Sequence, residues 1–423
     1  MKICMMTNTY LPHVGGVARS VSTFADEYRR QGHEVLVVAP NFPGRMPKRA
    51  EAIVERVAAV QNFNGSDFSV RLPLAAGLSV RLDTFAAEII HAHHPFLLGD
   101  TALRMATTRS VPVIFTHHTK YEDYVHYVPF ASPALRRAAI QLSTEFANLC
   151  DGVIAPSASI AALIRRRGVT TPVQVVPTGI DVEAFAGGDG AAARRQLKIP
   201  AKAFVVGHVG RLAPEKNLPF LANAVAAFLR DTPNAWFLLV GTGPSEDVVR
   251  QTFDRAGVGS RLVLAGSRSG QALFDAYRAM DVFAFTSKSE TQGLVITEAM
   301  AAGLPVVAMR ASGVREVVKN GVTGFMLPPE ASAANFARQV GRIHADPALR
   351  RQLSKAAQKT AADFSRENCA KRALAFYEEV RKNTRRERLL ASQHPWLMIQ
   401  ERIGVEWNLL ARNARALSTA LAS

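Results

Sequence analysis

Cysteine is scarce: three residues in 423, Cys4, Cys150 and Cys369, are far apart and odd in number, which argues against a disulfide framework. A reducing compartment is expected. Acidic residues are also short, with 35 Asp and Glu against 51 Lys and Arg, for a net charge of +16. Such a field favours anionic partners such as nucleic acid, an anionic membrane surface or phosphorylated small molecules. No Asp-x-Asp triplet occurs to hold a divalent metal. No apolar run is long enough to span a bilayer, and MKICMMTNTYLP at the start lacks a long signal-type core. The expected location is therefore the cytoplasm. Basic and aromatic residues are dispersed instead of gathered on one platform, so nucleic acid is not an expected partner.

At this length two domains are the natural expectation. The first half opens with a strand-like KICMMTN (Lys2 to Asn8), a loop and a helical pattern from Val17 to Gln31, then EVLVVAP (Glu34 to Pro40). Gly15 and Gly16 fall where the first strand meets the first helix, where a backbone approaches a ligand closely. EIIHAHHP (Glu88 to Pro95) and PVIFTHHT (Pro112 to Thr119) read as strands running into His-rich loops, followed by GVIAPS (Gly152 to Ser157) and VQVVPTGI (Val173 to Ile180). Pro177 to Gly190 reads as a linker. The second half repeats the grammar with FVVGHVGRL (Phe204 to Leu212), AWFLLVGTGP (Ala235 to Pro244) and RLVLAG (Arg261 to Gly266). The expected fold is α/β, two doubly wound Rossmann-like domains facing across a cleft. Their expected bounds are 1–180 and 181–363, with a closing helix over 364–383 and a basic helical tail over 384–423.

The richest stretch is SKSETQGLVITEAMAAGLP, Ser287 to Pro305, set between the strand-like runs DVFAFT (Asp281 to Thr286) and PVVA (Pro305 to Ala308). Strand, loop, helix and strand make a parallel βαβ unit. Its loop sits at the carboxyl edge of the sheet, beside a helix N-terminus that attracts anions. Glu290 then lies in the loop and Glu298 inside the helix, able to reach different ends of one ligand. Between them, the backbone amides near Thr291, Gln292, Gly293 and Leu294 are placed to hold a phosphate.

GGV near the N-terminus, VGRLAPEKN at 209–217, GTGP at 241–244 and ETQGLVITEAMAAGLPVVA at 290–308 together resemble retaining glycosyltransferases of family four, which have the GT-B fold. The likeness runs in order over about residues 1–383. It implies a nucleotide-sugar donor as co-substrate, with Gly16 at the donor, Arg211 and Lys216 on its diphosphate, Glu290 on hydroxyls of the sugar and Glu298 on the ribose. Fixed cations in place of a metal suit a chain without an Asp-x-Asp triplet, so no metal is expected. It also implies retention by front-face attack, with a diphosphate oxygen as base and no protein nucleophile. Two carboxylates could instead serve a hydrolase, but Glu298 on its helix is not placed for both to flank one bond. An epimerase on the same fold is a further possibility.

FTHHTKYEDYVHYVPF (Phe115 to Phe130) resembles the acceptor-side segment of diacylglycerol glucosyltransferases, which puts His118 near the anomeric centre. The implied reaction is transfer of a hexose, glucose from UDP-glucose being the expected donor pair, to a membrane lipid. A polysaccharide or soluble sugar acceptor, with GDP-mannose as donor, is the alternative. His91, His93 and His94 with His117 and His118 lack a carboxylate or Cys at ligand spacing for zinc. Arg45, Lys48, Arg49, Arg136, Arg137 and Arg165 to Arg167 are suited to an anionic membrane, which implies a peripheral place on the inner face of the cell membrane. From Arg381 onward eight Lys and Arg against three Glu leave +5. Trp396, Ile399, Ile403, Leu410, Ala414, Leu417 and Leu421 share one helical face, with Trp407 nearby and Arg402, Arg412 and Arg415 available to the polar face. That tail is read equally as an interfacial membrane helix or as a helix packed on its own domain or on a second subunit.

Overall fold

The apolar runs of the first half become a parallel sheet in the computed structural model, which describes residues 1–12, 15–41, 53–60, 70–71, 76–123, 132–288 and 290–391, with 404, 407–409, 411–413 and 415. The chain divides into two units, Met1–Gly179 with Arg366–Ser423, and Ile180–Ser365. In the first, β1 (Lys2–Met6), β2 (Glu34–Pro40), β3 (Val54–Val57), β6 (Ile89–Ala92), β7 (Val113–Thr116), β8 (Gly152–Ala155) and β9 (Val173–Val175) lie in the order β3-β2-β1-β6-β7-β8-β9. All neighbours in it are parallel. A separate antiparallel pair joins β4 (Ala59–Val60) and β5 (Val70–Arg71).

Both faces of this sheet are buried, which is why its strands read as continuous apolar runs. Successive residues of β1 enter opposite layers. Ile3 and Met5 join Val21, Tyr28, Cys369 and Tyr377 on the side of helices Gly16–Arg30 and Arg366–Ala391. Cys4 and Met6 join Leu103, Phe115 and Phe146 on the side of helices Leu98–Arg109 and Pro133–Asn148. Cys4, Cys150 and Cys369 are all free and buried.

The second unit holds β10 (Phe204–Val209), β11 (Ala235–Val240), β12 (Leu262–Gly266), β13 (Val282–Phe285), β14 (Val306–Met309) and β15 (Gly324–Leu327), in the order β12-β11-β10-β13-β14-β15. These pairs too are parallel. Strand order reverses between β1 and β6 in one sheet and between β10 and β13 in the other. At such a reversal the flanking loops leave in opposite directions and open a crevice at the carboxyl ends of the strands. Arg211, Lys216 and Glu290 lie on the loops after β10 and β13, Glu298 lies on the helix that follows β13, and His118 follows β7, the neighbour of β6.

Several expectations are corrected. The stretch 177–190 is no loose linker: it contains helix Val182–Ala186, and Phe185 is buried against Phe274 and Tyr277 at centroid distances of 4.8 and 5.3 Å. β3 and β15, each an edge strand of four residues, were not foreseen, because a short half-polar edge such as VERV carries no strong alternation. The closing helix runs to Ala391, well past residue 383. Arg412 is not available to a polar face but is 1% exposed and bonded within its own unit, where Leu409 joins the core. Arg415 pairs with Glu145. Arg167 is likewise turned inward, 2.5 Å from Glu122, whereas Arg136, Arg137, Arg165 and Arg166 are exposed. Trp407 is 71% exposed. Arg45, Lys48 and Arg49, the segment 124–131, and Trp396, Ile399, Arg402, Ile403, Leu410, Ala414, Leu417 and Leu421 lie outside the described residues. No helix among the described residues is long and apolar enough to cross a membrane.

Candidate active site

The loops that follow β10 and β13 are stitched to each other. Thr286 Oγ1 donates to the Lys216 carbonyl at 3.0 Å, Ser287 Oγ to the Glu215 carbonyl at 3.2 Å, and the Lys288 amide to the same Glu215 carbonyl at 3.2 Å. This places Lys216 Nζ 2.5 Å from Glu290 Oε1, with the two side chains 19% and 14% exposed. Four residues before Glu215, Arg211 reaches back to it at 2.8 Å. The two cations assigned to a diphosphate therefore each hold a carboxylate. Burial pushes the Glu215 carboxyl up, but Arg211, a backbone bond and Lys216 outweigh it and bring it below its ordinary value. Arg211 remains half-exposed.

The GTGP motif explains how these loops come so close. A Cβ on Gly241 would lie 1.9 Å from the Gly210 carbonyl oxygen, and one on Gly243 would lie 2.5 Å from that of Leu212. Only glycine lets the chain after β11 press against the chain after β10. Thr291, Gln292 and Gly293 then lead into helix Leu294–Ala301, with Gln292 buried. Glu298, in the fifth position of that helix, is fully buried and accepts a hydrogen bond from the Tyr277 hydroxyl at 2.7 Å on Oε2.

His208, inside β10, was missed by sequence reasoning because a histidine in an apolar run reads as core. It is fully buried, its Nδ1 lies 2.9 Å from the Ala284 carbonyl, and its Nε2 has no hydrogen-bond partner among the described residues. Burial pulls its pKa down to about 4. Glu215 and Tyr277 were missed as well. The signal for Glu215 was present, since a carboxylate four residues after Arg211 is at ion-pair spacing.

In the first unit the carboxyl ends of β6 and β7 bring the histidines together. His93 Nδ1 and His118 Nε2 are 2.8 Å apart with rings stacked at 5.1 Å, and the His91 ring lies 4.0 Å from that of His93. The Tyr28 hydroxyl donates to Tyr377 at 3.1 Å, and Tyr377 reaches His91 Nδ1 at 2.5 Å. The Nε2 proton of His91 is thereby directed to Thr116 Oγ1 at 2.6 Å. Burial takes His91 and His94 to about 3 and His117 to about 4, and holds His93 and His118 well below the ordinary histidine value. The cluster is therefore neutral at pH 7. With both rings neutral, one of His93 and His118 donates to the other. No group of three His, Cys, Asp or Glu placed to hold a metal occurs among the described residues.

Gly16 opens helix Gly16–Arg30, the first helix after β1. It is exposed, and a Cβ there would meet no atom within 4 Å. Among the described residues no side chain or backbone crowds that point. Of the sequence-selected residues, Arg211, Lys216, Glu290, Thr291, Gln292, Gly293, Leu294 and Glu298 thus gather in the second unit, and Gly16 and His118 belong to the first.

Residues 189–360 match the family of glycosyl transferases group 1, and residues 14–184 match glycosyltransferase family 4. The chain is 27% identical over 391 residues to the alpha-monoglucosyldiacylglycerol synthase of Acholeplasma laidlawii, covering 90% of this chain and 97% of that protein. It is 31% identical over 336 residues to the GDP-mannose-dependent alpha-mannosyltransferase of Mycobacterium tuberculosis, covering 78% and 84%. Among solved structures, it is similar to Anabaena Alr3699/HepE in complex with UDP, with a TM-score of 0.71, 25% identity, and coverage of 90% and 100%. On its matched domains, its two parallel sheets and its relatives, the chain belongs to the family-four glycosyltransferases of GT-B fold and is a nucleotide-sugar-dependent hexosyltransferase.

Proposed function

We propose that the enzyme moves glucose from UDP-glucose onto a membrane lipid such as diacylglycerol, retaining the anomeric configuration and needing no metal. The supporting observation is the meeting of Lys216 and Glu290 where strand order reverses between β10 and β13. Arg211 and Lys216 neutralise the charge that develops on the departing diphosphate, an effect commonly worth about a hundredfold or more per group. Glu290 accepts hydrogen bonds from the sugar hydroxyls and keeps the Lys216 ammonium in place. Glu298, its rotamer held by Tyr277, serves the ribose, and the amides of 291–294 and the open backbone at Gly16 serve the phosphates.

The acceptor hydroxyl attacks the anomeric carbon on the face from which the diphosphate leaves. The bond from carbon to diphosphate oxygen breaks as the new glycosidic bond forms, and the acceptor proton passes to the diphosphate. No protein nucleophile takes part. Neutral His118 orients the acceptor hydroxyl as a hydrogen-bond partner without carrying charge. The lipid acceptor is favoured by similarity to the monoglucosyldiacylglycerol synthase across nine-tenths of this chain. Exposed Arg136, Arg137, Arg165 and Arg166 would hold the protein peripherally on the inner face of an anionic membrane, at about 1 kcal/mol each. A second reading, mannosyl transfer from GDP-mannose to a sugar acceptor, is favoured by the 31% identical mannosyltransferase.

The test is to incubate the purified protein with UDP-glucose, GDP-mannose and other nucleotide sugars, with and without diacylglycerol vesicles, and to identify products by mass and anomeric configuration. A retained glucosyl lipid, formed equally in EDTA, is expected. Transfer from GDP-mannose to a soluble sugar alone would replace the leading proposal with the second, and a strict metal requirement would overturn the role given to Arg211 and Lys216.

A further inference from the structure

The turn that carries the first-unit histidines out of β6 is tightly constrained. Leu97 has φ 58° and ψ −103°, a conformation that side-chain-bearing residues rarely adopt. Two residues on, a Cβ at Gly99 would lie 2.0 Å from the His94 carbonyl oxygen, so the turn closes only with glycine there. Such a backbone persists when its surroundings over-determine it. Asn8, beyond the end of β1, supplies one brace. Its amide donates to His94 Nδ1, its side-chain amide to the Phe96 carbonyl, and its Oδ1 accepts from the Leu98 amide, each at 3.1 Å.

The other brace comes from more than 300 residues further along the chain. Arg412 Nη1 donates to the Pro95 carbonyl at 3.0 Å, and Nη2 to Asp100 Oδ1 at 2.7 Å. Its guanidinium lies 5.6 Å from the Phe146 ring centroid. The side chain is 1% exposed, and beside it Leu409 is buried in the same layer, while Arg415 forks onto Glu145 with two contacts of 3.0 Å. A planar guanidinium presents its donors in a fixed fork, here one to the Pro95 carbonyl in the turn and one to the Asp100 carboxylate on the helix. Asp100 lies in the first turn of helix Leu98–Arg109, so Arg412 ties the start of that helix to the turn before it.

We propose that Arg412 is a positioning residue for the acceptor-side histidines, a clip from the C-terminal segment that holds the 94–99 turn and through it His93 and His94 against His118. The inference rests on the proposal that this cluster handles the acceptor. It gives part of the basic C-terminal tail a role in the geometry of the site.

The test uses the full chain with Arg412→Gln, Arg412→Lys and, as a milder change, Asp100→Asn. Hydrogen exchange is followed in peptides covering 93–100, with the β2 peptide as internal control, and KM for donor and for acceptor is measured separately. Arg412→Gln should speed exchange in 94–99 at least tenfold with β2 unchanged, and raise acceptor KM about tenfold with donor KM within twofold. Arg412→Lys, keeping the charge but not the fork, should fall between and serves if Arg412→Gln does not fold. Unchanged exchange in 94–99 would overturn the bracing. Faster exchange with donor and acceptor constants changing in proportion to lost thermal stability would reduce Arg412 to a structural staple and overturn the positioning role. If the wild type turns over no acceptor, the proposed function falls, and the exchange result still decides whether the clip exists.

Discussion

The two places where strand order reverses are built from opposite materials. Beside β10 and β13 the groups are ionic, Arg211 with Glu215 and Lys216 with Glu290. Beside β1, β6 and β7 they are neutral, five histidines held uncharged by burial, with His91 bonded to the Thr116 and Tyr377 hydroxyls, His94 to the Asn8 amide and His93 to His118. One topology thus offers two chemical environments. The ionic crevice suits a diphosphate, whose charge needs fixed cations. The neutral one suits a hydroxyl, which needs orientation and gains little from charge.

The hardest blow to the ionic side is the loss of either member of its central pair. Glu290→Gln and Lys216→Ala should each lower kcat/KM by roughly a hundredfold or more, about 3 kcal/mol of transition-state stabilisation, while the purified variants keep their circular dichroism. Near-normal turnover in either would dissolve the contrast between the two crevices. Because the partners touch, the double variant should lose less than the sum of the singles, as a double-mutant cycle would reveal.

The neutral side is probed by pH. In the unfolded chain each histidine binds a proton as pH falls through about 6.5, whereas His91, His94 and His117 in the folded protein wait until about 3 to 4. Folding stability is therefore complete above about pH 7 and drains away as pH falls from 6.5 toward 4, with a slope on the order of 1 kcal/mol per pH unit per histidine. Thermal midpoints recorded across pH 4–8 should fall steeply on the acid side. A flat profile would show that these rings are already charged or exposed in the native state. By the same token, kcat/KM for the acceptor should show no ionisation near 6.5 assignable to His118.

A smaller effect separates scaffold from site. Tyr377→Phe removes the hydroxyl between Tyr28 and His91 and should cost about 1–2 kcal/mol in denaturant unfolding. Donor KM should not move. A shift in donor KM would show that this hydroxyl chain is more than scaffold.

The positions of the ionic half were largely legible in the sequence because each of its two motifs is local. VGRLAPEKN and ETQGLVITEAMAAGLP each occupy one loop and helix start, and local order is all that is needed to place Arg211, Lys216 and Glu290 after a strand and Glu298 on the following helix. What sequence could not reveal there is that Lys216 and Glu290 neutralise each other across 74 positions, or that Tyr277 holds Glu298. The histidine half was legible as two strand ends but not as a network, since Tyr28, Tyr377 and Asn8 come from distant segments and carry no motif. The basic tail misled for the same reason. An Arg on an amphipathic pattern reads as surface, and only the partners Asp100 and Pro95 make Arg412 a buried group.

Alternating apolar runs and helical patterns, together with four ordered motifs, determined the two parallel sheets and the family by themselves, because strand and helix formation and loop chemistry are local properties of the chain. Tertiary structure alone decided which charges cancel, which histidines stay neutral and where the end of the chain is clipped. Those outcomes depend on burial and on contacts between residues tens to hundreds of positions apart, quantities that exist only once the chain has closed on itself.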